Sequence, residues 1–454
     1  MAIIRLLIIL SLLFTSCTQK VEDNLTEIIE DVEDDLVIED SVTNENEEDV
    51  VIHSNPNILL VLIDDIGKDA LSTYSEGVTY ANTPTLDSIA NSGLIFNNMW
   101  VNPACSPTRA SLITGKYPSN NGVMAVSEVL SSSETSLHQY IRNNTNDTYS
   151  TALIGKWHLS GLRNMESPLN YGVGYYSGTM EGGTSSYYDW ELSDGETTTA
   201  MEDTYITSMF TDIAIDWIDE QEQPWFLWLA YTAPHTPFHV PPTNLHYQGT
   251  LTDNQSTIDA NPLPYYLASI EALDTELSRL LASVPDLENT VIIILGDNGV
   301  DTKVVQTPYQ QGQVKGSLHE GGINTPFFIS GPSIRIGTDN GMHNVTDLFT
   351  TIGNIAGVST TSIHDSQSFY QNLINDSPSG RSFNYSETTN GYTVFDGTHK
   401  YMLTEQGNEK FFDLSDDPYE SINYIRRTMT TEQTTAKNKL IAIGDSIKNA
   451  NSQF

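Results

Sequence analysis

Residues 57–63 read NILLVLI, six apolar residues in a row that stop at Asp64-Asp65. With no polar residue alternating along it, the run fits a strand covered on both faces, as in parallel sheets. Residues 291–295 repeat the pattern and stop at Gly296-Asp297-Asn298-Gly299. Further strands are expected at 149–155, 225–230 and 327–330, and helical patterns lie between them. Thr83-Pro84 opens one helix, with Thr83 as its cap, Leu86, Ile89 and Ala90 at helical spacing and Gly93 at its end. Another covers 202–220, where Tyr205, Ile206, Met209, Phe210, Ile213 and Trp217 share a face. Two more are expected at 264–284 and 345–356. Strands alternating with helices imply an α/β fold with a large, mixed, mostly parallel sheet sandwiched by helices. Ligands of such sheets bind beyond the carboxyl ends of the strands, where both acidic motifs stand. From about residue 376 short strand-like pieces and a helical stretch near 430–450 predict a smaller C-terminal α+β subdomain.

Composition narrows the function. The chain has 454 residues, 59 acidic and 20 basic, for a net charge of −39. That charge argues against nucleic acid as a partner, since the phosphates would be repelled. Two cysteines exclude a disulfide-dense scaffold and a multi-cysteine zinc module. They leave open one disulfide, two thiols, or two separate jobs. The N-terminus, MAIIRLLIILSLLFTSC, sets Arg5 before a nine-residue, mostly apolar stretch, a signal-peptide pattern too short to span a bilayer. Leu13-Phe14-Thr15-Ser16-Cys17 resembles a bacterial lipobox, which implies cleavage before Cys17 and lipid attachment to its sulfur. Residues 21–50 hold 14 Asp or Glu and no Lys or Arg, a self-repelling block that reads as a solvated tether. The expected organisation is a signal peptide over 1–16, a lipidated acidic tether over 17–52, a catalytic domain over 53–375 and the α+β subdomain over 376–454. The expected location is the outer membrane or cell surface, through the lipid anchor alone, with the periplasm as the alternative.

The most informative stretch is Cys105-Ser106-Pro107-Thr108-Arg109, continuing to Thr114-Gly115. Alone, Cys105 reads as a buried thiol before a helix. With its neighbours it resembles the maturation signature of the type I, formylglycine-dependent sulfatases, Cys-x-Pro-x-Arg followed by a small-residue helix and Thr-Gly. Other motifs carry the same resemblance through residues 55–420: Asp64-Asp65, Gly155-Lys156-Trp157-His158, Pro234-His235-Thr236-Pro237, Asp297-Asn298-Gly299, Lys315-Gly316, Val345-Thr346-Asp347-Leu348 and Phe412-Asp413-Leu414. Each has a plain structural reading, a turn, a cap or a core histidine, and their conjunction outweighs it.

The resemblance implies an alkaline-phosphatase-like fold and hydrolysis of sulfate esters. It implies one Ca²⁺ held by Asp64, Asp65, Asp297, Asn298 and the modified Cys105, and hard oxygen donors suit that ion. Cys105 is expected to be oxidised to formylglycine (3-oxoalanine) by a formylglycine-generating maturase. One hydroxyl of the hydrated aldehyde attacks sulfur; the other loses its proton to re-form the aldehyde and release sulfate. By matching position, Arg109 and His158 hold and polarise the diol, Lys156 bridges diol and sulfate, and His235 and Lys315 face the leaving-group side. His235 is the expected general acid. The expected substrate is sulfated carbohydrate, of the kind found in marine algal ulvan, carrageenan, porphyran or fucoidan. Tyr175, Tyr176, Tyr187, Tyr188 and Trp190 offer aromatic faces for its sugars. The competing readings are a phosphomonoester or phosphonate-ester hydrolase on the same scaffold, separated by rates on aryl sulfate and aryl phosphate, and a non-catalytic surface lipoprotein that binds sulfated glycan.

Overall fold

The strand Asn57–Ile63 lies inside an eight-stranded sheet. It is parallel to Trp225–Tyr231 on one side and to Thr290–Gly296 on the other, with Ile63 level with Tyr231 and with Gly296. Ser150–Gly155 and Tyr175–Ser177 continue the parallel order beyond Trp225–Tyr231. On the opposite side Phe327–Ser330 runs antiparallel to both its neighbours, and Leu94–Phe96 and Gly337–Asp339 complete that edge. The computed structural model describes residues 55–161, 166–378 and 380–450; the expected signal peptide, Cys17 and the acidic tether lie outside them.

The unbroken apolar run is explained by the two faces it serves. Leu59, Val61 and Ile63 enter one core, and Ile58, Leu60 and Leu62 enter the other. Burial of each such side chain contributes roughly 1.5–3 kcal/mol, so neither face tolerates a polar residue. The helices Pro84–Asn91, Ile206–Asp219 and Leu263–Ser283 cover the first face. Cys105–Thr114, Leu137–Asn144 and Asp347–Ile355 cover the second. One local expectation fails. Thr83 makes no side-chain cap; instead the N–H groups of Thr85 and Leu86 donate to the Asp274 carboxylate, at 3.1 and 2.7 Å. A distant buried acid thus does the work of a local hydroxyl, and burial pushes its carboxyl up to about 6.

The C-terminal part is a four-stranded antiparallel sheet, Asn384–Glu387, Tyr392–Phe395, His399–Leu403 and Glu409–Asp413, with the helix Thr431–Ala450 against it. Tyr385, Tyr392, Val394, Tyr401, Phe411 and Leu440 form its core. It meets the segments around residues 100 and 320 through buried charge. Lys400 Nζ lies 2.7 Å from Glu320 and 2.9 Å from Glu420, over the ring of Trp100. Trp100 stands five residues before Cys105, and Glu320 five residues after Lys315.

Candidate active site

The site is built at the carboxyl ends of four adjacent parallel strands. Asp64-Asp65 leave Asn57–Ile63, Lys156 and His158 leave Ser150–Gly155, His235 follows Trp225–Tyr231, and Asp297-Asn298 leave Thr290–Gly296. The register that sets Ile63 beside Gly296 brings the two acidic motifs together. Asp65 turns at a φ of 64°, unusual for a residue with a side chain. The turn is held by the Asp65 N–H donating to Asp297 Oδ1 at 3.2 Å and by Asn298 Nδ2 donating to Asp65 Oδ1 at 2.7 Å.

The helix Cys105–Thr114 supplies the other half. It is buried along its whole length and stops at Gly115, whose φ of 67° favours glycine. Cys105 and Arg109 lie one turn apart on one face. Arg109 is fully buried; its Nη2 donates to Asp297 Oδ2 at 3.0 Å and its Nη1 to the Lys156 carbonyl at 2.7 Å. Lys156 Nζ pairs with Asp64 Oδ2. Cys105 Sγ lies 3.3 Å from His158 Nδ1. On the opposite rim Lys315 Nζ donates to Asp65 Oδ1 at 2.5 Å, and His235 Nε2 stands 3.8 Å from Asp65 Oδ2. All ten residues expected from the sequence therefore meet here. Their pairing differs from expectation in one respect: Arg109 is locked to Asp297 and a carbonyl, and Lys156 to Asp64, so both cations rest on the acidic cluster.

Electrostatics divide the groups into two sets. Burial would raise the Asp65 carboxyl, but Lys315 and His235 outweigh it and hold it below its ordinary value. Burial, reinforced by the Asp64 charge, raises Asp297. Burial, followed by the charges of Lys156 and Arg109, pushes His158 down to about 2, so its imidazole is neutral. Burial also pushes the Cys105 thiol up; the cysteine is not a ready thiolate.

The donor set fits a hard divalent cation. Asp64 Oδ1, Asp65 Oδ2 and Asn298 Oδ1 are buried and make no hydrogen bond, a costly arrangement for polar oxygens unless something cationic satisfies them. The ligand atoms of Asp64, Cys105 and Asp297 fall within 4.8 Å of one another, as do those of Asp64, Asp65 and His235. Oxygen-rich surroundings suit Ca²⁺ or Mg²⁺ rather than zinc.

Three supports carried no clear sequence signal. Tyr187, buried, donates its hydroxyl to the carbonyls of Thr232 and His235 and stacks on His239, fixing the His235 loop. Gly182 lies flat against the His158 ring; the Gly-Gly pair was its only hint. Ser127 meets the far side of the same ring. The aromatic residues expected to face sugar mostly turn inward: Tyr176, Tyr187 and Trp190 are buried, and Tyr175 leans on Trp217. Trp190 and Gly183 nonetheless line a cavity of about 470 Å³, together with Glu181, Glu191 and Glu202.

A mostly parallel sheet with a carboxylate and cation centre at its strand ends places the chain among α/β proteins of the alkaline-phosphatase-like class. The crystal structure of Ps i-CgsB in complex with k-i-k-neocarrahexaose shares the fold, with a TM-score of 0.72, 22% identity, and coverage of 86% of this chain and 92% of that one. The Sulfatase family model matches residues 56–358, and the chain belongs to that family. It is similar to N-acetylgalactosamine-6-sulfatase of Homo sapiens, 28% identical over 350 residues covering 68% of this chain and 63% of the relative. It is also similar to the uncharacterized sulfatase YdeN of Escherichia coli (strain K12), 28% identical over 332 residues covering 60% of this chain and 57% of the relative. The chain thus spans about three fifths of the length of these relatives.

Proposed function

We propose that this chain hydrolyses sulfate esters on carbohydrate, with residue 105 carrying the nucleophile. The observation that bears most weight is the position of Cys105: one side chain touches His158 and shares a cluster with Asp64 and Asp297, beside three buried or half-buried cations. A thiol with a raised pKa is a poor nucleophile for sulfur(VI). Oxidation of Cys105 to formylglycine by a maturase supplies a hydrated aldehyde, whose first hydroxyl attacks sulfur and whose second permits release.

Asp64, Asp65, Asp297 and Asn298 would hold Ca²⁺, whose contribution when bound is Lewis-acid polarisation of a sulfate oxygen. The protein's own groups do the rest. Lys156 and Lys315 flank the cluster and neutralise charge that grows on the sulfate oxygens. Arg109 fixes Asp297 and the Lys156 backbone in one frame. His158, neutral, accepts a hydrogen bond at Nδ1 from a hydroxyl on residue 105 and so holds and polarises it. His235, on the Asp65 and Lys315 side, delivers a proton to the departing sugar oxygen. A carbohydrate leaving group is supported by the neocarrahexaose in the structural neighbour and by the name of the human relative, N-acetylgalactosamine-6-sulfatase.

The test is sulfate release from an aryl sulfate and from defined sulfated oligosaccharides, by protein co-produced with a maturase. Native protein should turn over, with residue 105 lighter by about 18 Da from exchange of sulfur and two hydrogens for oxygen. Cys105→Ala and Cys105→Ser should fold and be inactive. Turnover by either variant, or faster hydrolysis of aryl phosphate than of aryl sulfate, would overturn the proposal.

A further inference from the structure

We propose that Ser127 is a positioning residue: its hydroxyl accepts the Nε2–H of His158, so that the lone pair on Nδ1 faces the side chain of residue 105. The kinetic consequence rests on the function proposed above; the contact itself does not. Ser127 Oγ lies 3.4 Å from Nε2, while Cys105 Sγ lies 3.3 Å from Nδ1 of the same ring. A neutral imidazole carries one N–H and one lone pair, on different nitrogens. The partner at one nitrogen therefore decides what the other offers. A ring that accepts a hydrogen bond from a hydroxyl on residue 105 needs its lone pair at Nδ1, and a hydrogen-bond acceptor at Nε2 secures that.

Ser127 is held in place by the chain on both sides of it. Its N–H donates at 3.1 Å to the hydroxyl of Ser106, the fully buried neighbour of Cys105. Its φ is 64°, a conformation that a serine adopts at a cost. The following residues are strapped to the chain just after His158: Val129 bridges Ser160, and the Leu130 N–H donates to the Leu159 carbonyl at 2.9 Å. Residue 105, the imidazole and the Ser127 hydroxyl thus belong to one frame, and movement of any of them disturbs the other two. The rest of the segment braces its surroundings, Glu128 accepting the N–H groups of Met124 and Ala125 and the Leu130 carbonyl accepting the Tyr171 hydroxyl, whereas the Ser127 hydroxyl meets His158.

Two variants separate the hydroxyl from the backbone. Ser127→Ala removes the hydroxyl and keeps the strained φ; Ser127→Gly removes the same hydroxyl and relieves the strain. A purely structural role would make glycine harmless and alanine costly. Both variants are expected instead to lower kcat on an aryl sulfate by about tenfold, the loss of one neutral hydrogen bond, with KM within twofold of native. In spectra of protein labelled with ¹⁵N-histidine, native His158 should show a hydrogen-bonded Nε2–H resonance that both variants lose to solvent exchange. A proton on Nδ1 in the native protein, a resonance that survives both substitutions, or a rise in KM at constant kcat would overturn the proposal. Should native protein release no sulfate at all, the functional reading fails, and the ring spectra still decide the Ser127 contact.

Discussion

The sharpest structural test of the site is a pair of neighbouring glycines. A methyl group placed on Gly182 would sit 2.1 Å from both Cε1 and Nε2 of His158. The obstacle is a rigid ring, not the far end of a flexible chain, and its backbone is tied by the His158 N–H to the Met180 carbonyl at 3.2 Å. Ring or loop must therefore shift by about 1.3 Å to reach 3.4 Å, the edge of ordinary contact. A displacement of that size at the reacting centre costs on the order of 10²-fold in rate. On Gly183 the same methyl would find the His235 ring, Cε1 at 3.5 Å and Nδ1 at 3.9 Å, both ordinary contacts. Neither substitution meets a positive φ, so the fold should survive both. Gly182→Ala should lower kcat on an aryl sulfate about a hundredfold with a melting temperature within about 2 °C of native, and Gly183→Ala should change kcat less than threefold. Equal effects in the two variants would refute the claim that His158 is boxed against Gly182.

Chelation of calcium should lower the melting temperature by about 5 °C or more, because Asp64, Asp65 and Asp297 are buried together. Added Ca²⁺ should restore it, and a melt indifferent to chelator and ion alike would remove the metal site. Lys400→Met leaves Glu320 and Glu420 buried without their shared cation and should cost about 3–5 kcal/mol in urea denaturation; a loss below 1 kcal/mol would show that water reaches the pair. His138 is buried between Phe226 and Trp228, and burial pushes its pKa down to about 4. Below its ordinary 6.5 the unfolded chain takes a proton that the folded one refuses, so this contribution, about 3 kcal/mol, is present above pH 6.5 and fades as pH falls toward 4. His138→Phe should flatten the stability profile over that interval, and an unchanged slope would mean that the imidazole is protonated in the fold.

What the sequence made legible follows from how many residues a feature spans. Residues 58–63 had one physical solution, a strand covered on both faces, and the central strands were readable for that reason. The strands Leu94–Phe96 and Gly337–Asp339, toward one edge of the sheet, span three residues each, with no periodicity to detect. The cap of the helix Pro84–Asn91 comes from Asp274, 187 residues beyond its last acid Asp87, where no local rule could look. The ten site residues were legible because each sits in a motif, and seven of them follow a strand end. Ser127 and Tyr187 act through a single hydroxyl each, and one hydroxyl leaves no pattern. The aromatic cluster near 175–190 misled because a Tyr-rich segment serves a core as readily as a sugar.

The strong negative charge of the chain acquires a specific meaning at this site. Between Arg163 and Arg279 the sequence holds 18 acidic residues and no Lys or Arg, and Glu181, Glu191 and Glu202 of this stretch line the cavity beside His235 and Gly183. A sulfated substrate approaching from that side meets repulsion at distances beyond a Debye length only in dilute salt; at physiological ionic strength the field fades within about 8 Å. Attraction then has to be local. Arg109, Lys156 and Lys315 come from outside the acidic stretch and are pinned by Asp297, Asp64 and Asp65, three cations against three carboxylates. A divalent ion would bring two further positive charges to that balance, which a sulfate ester offsets only in part. A divalent ion at this cluster would therefore make the site attractive to a sulfate, while the acidic surround would disfavour any second anion that does not reach the centre. Under the function proposed above, repulsion by the wall and capture by the centre would together favour a substrate that presents one sulfate on an otherwise weakly charged face.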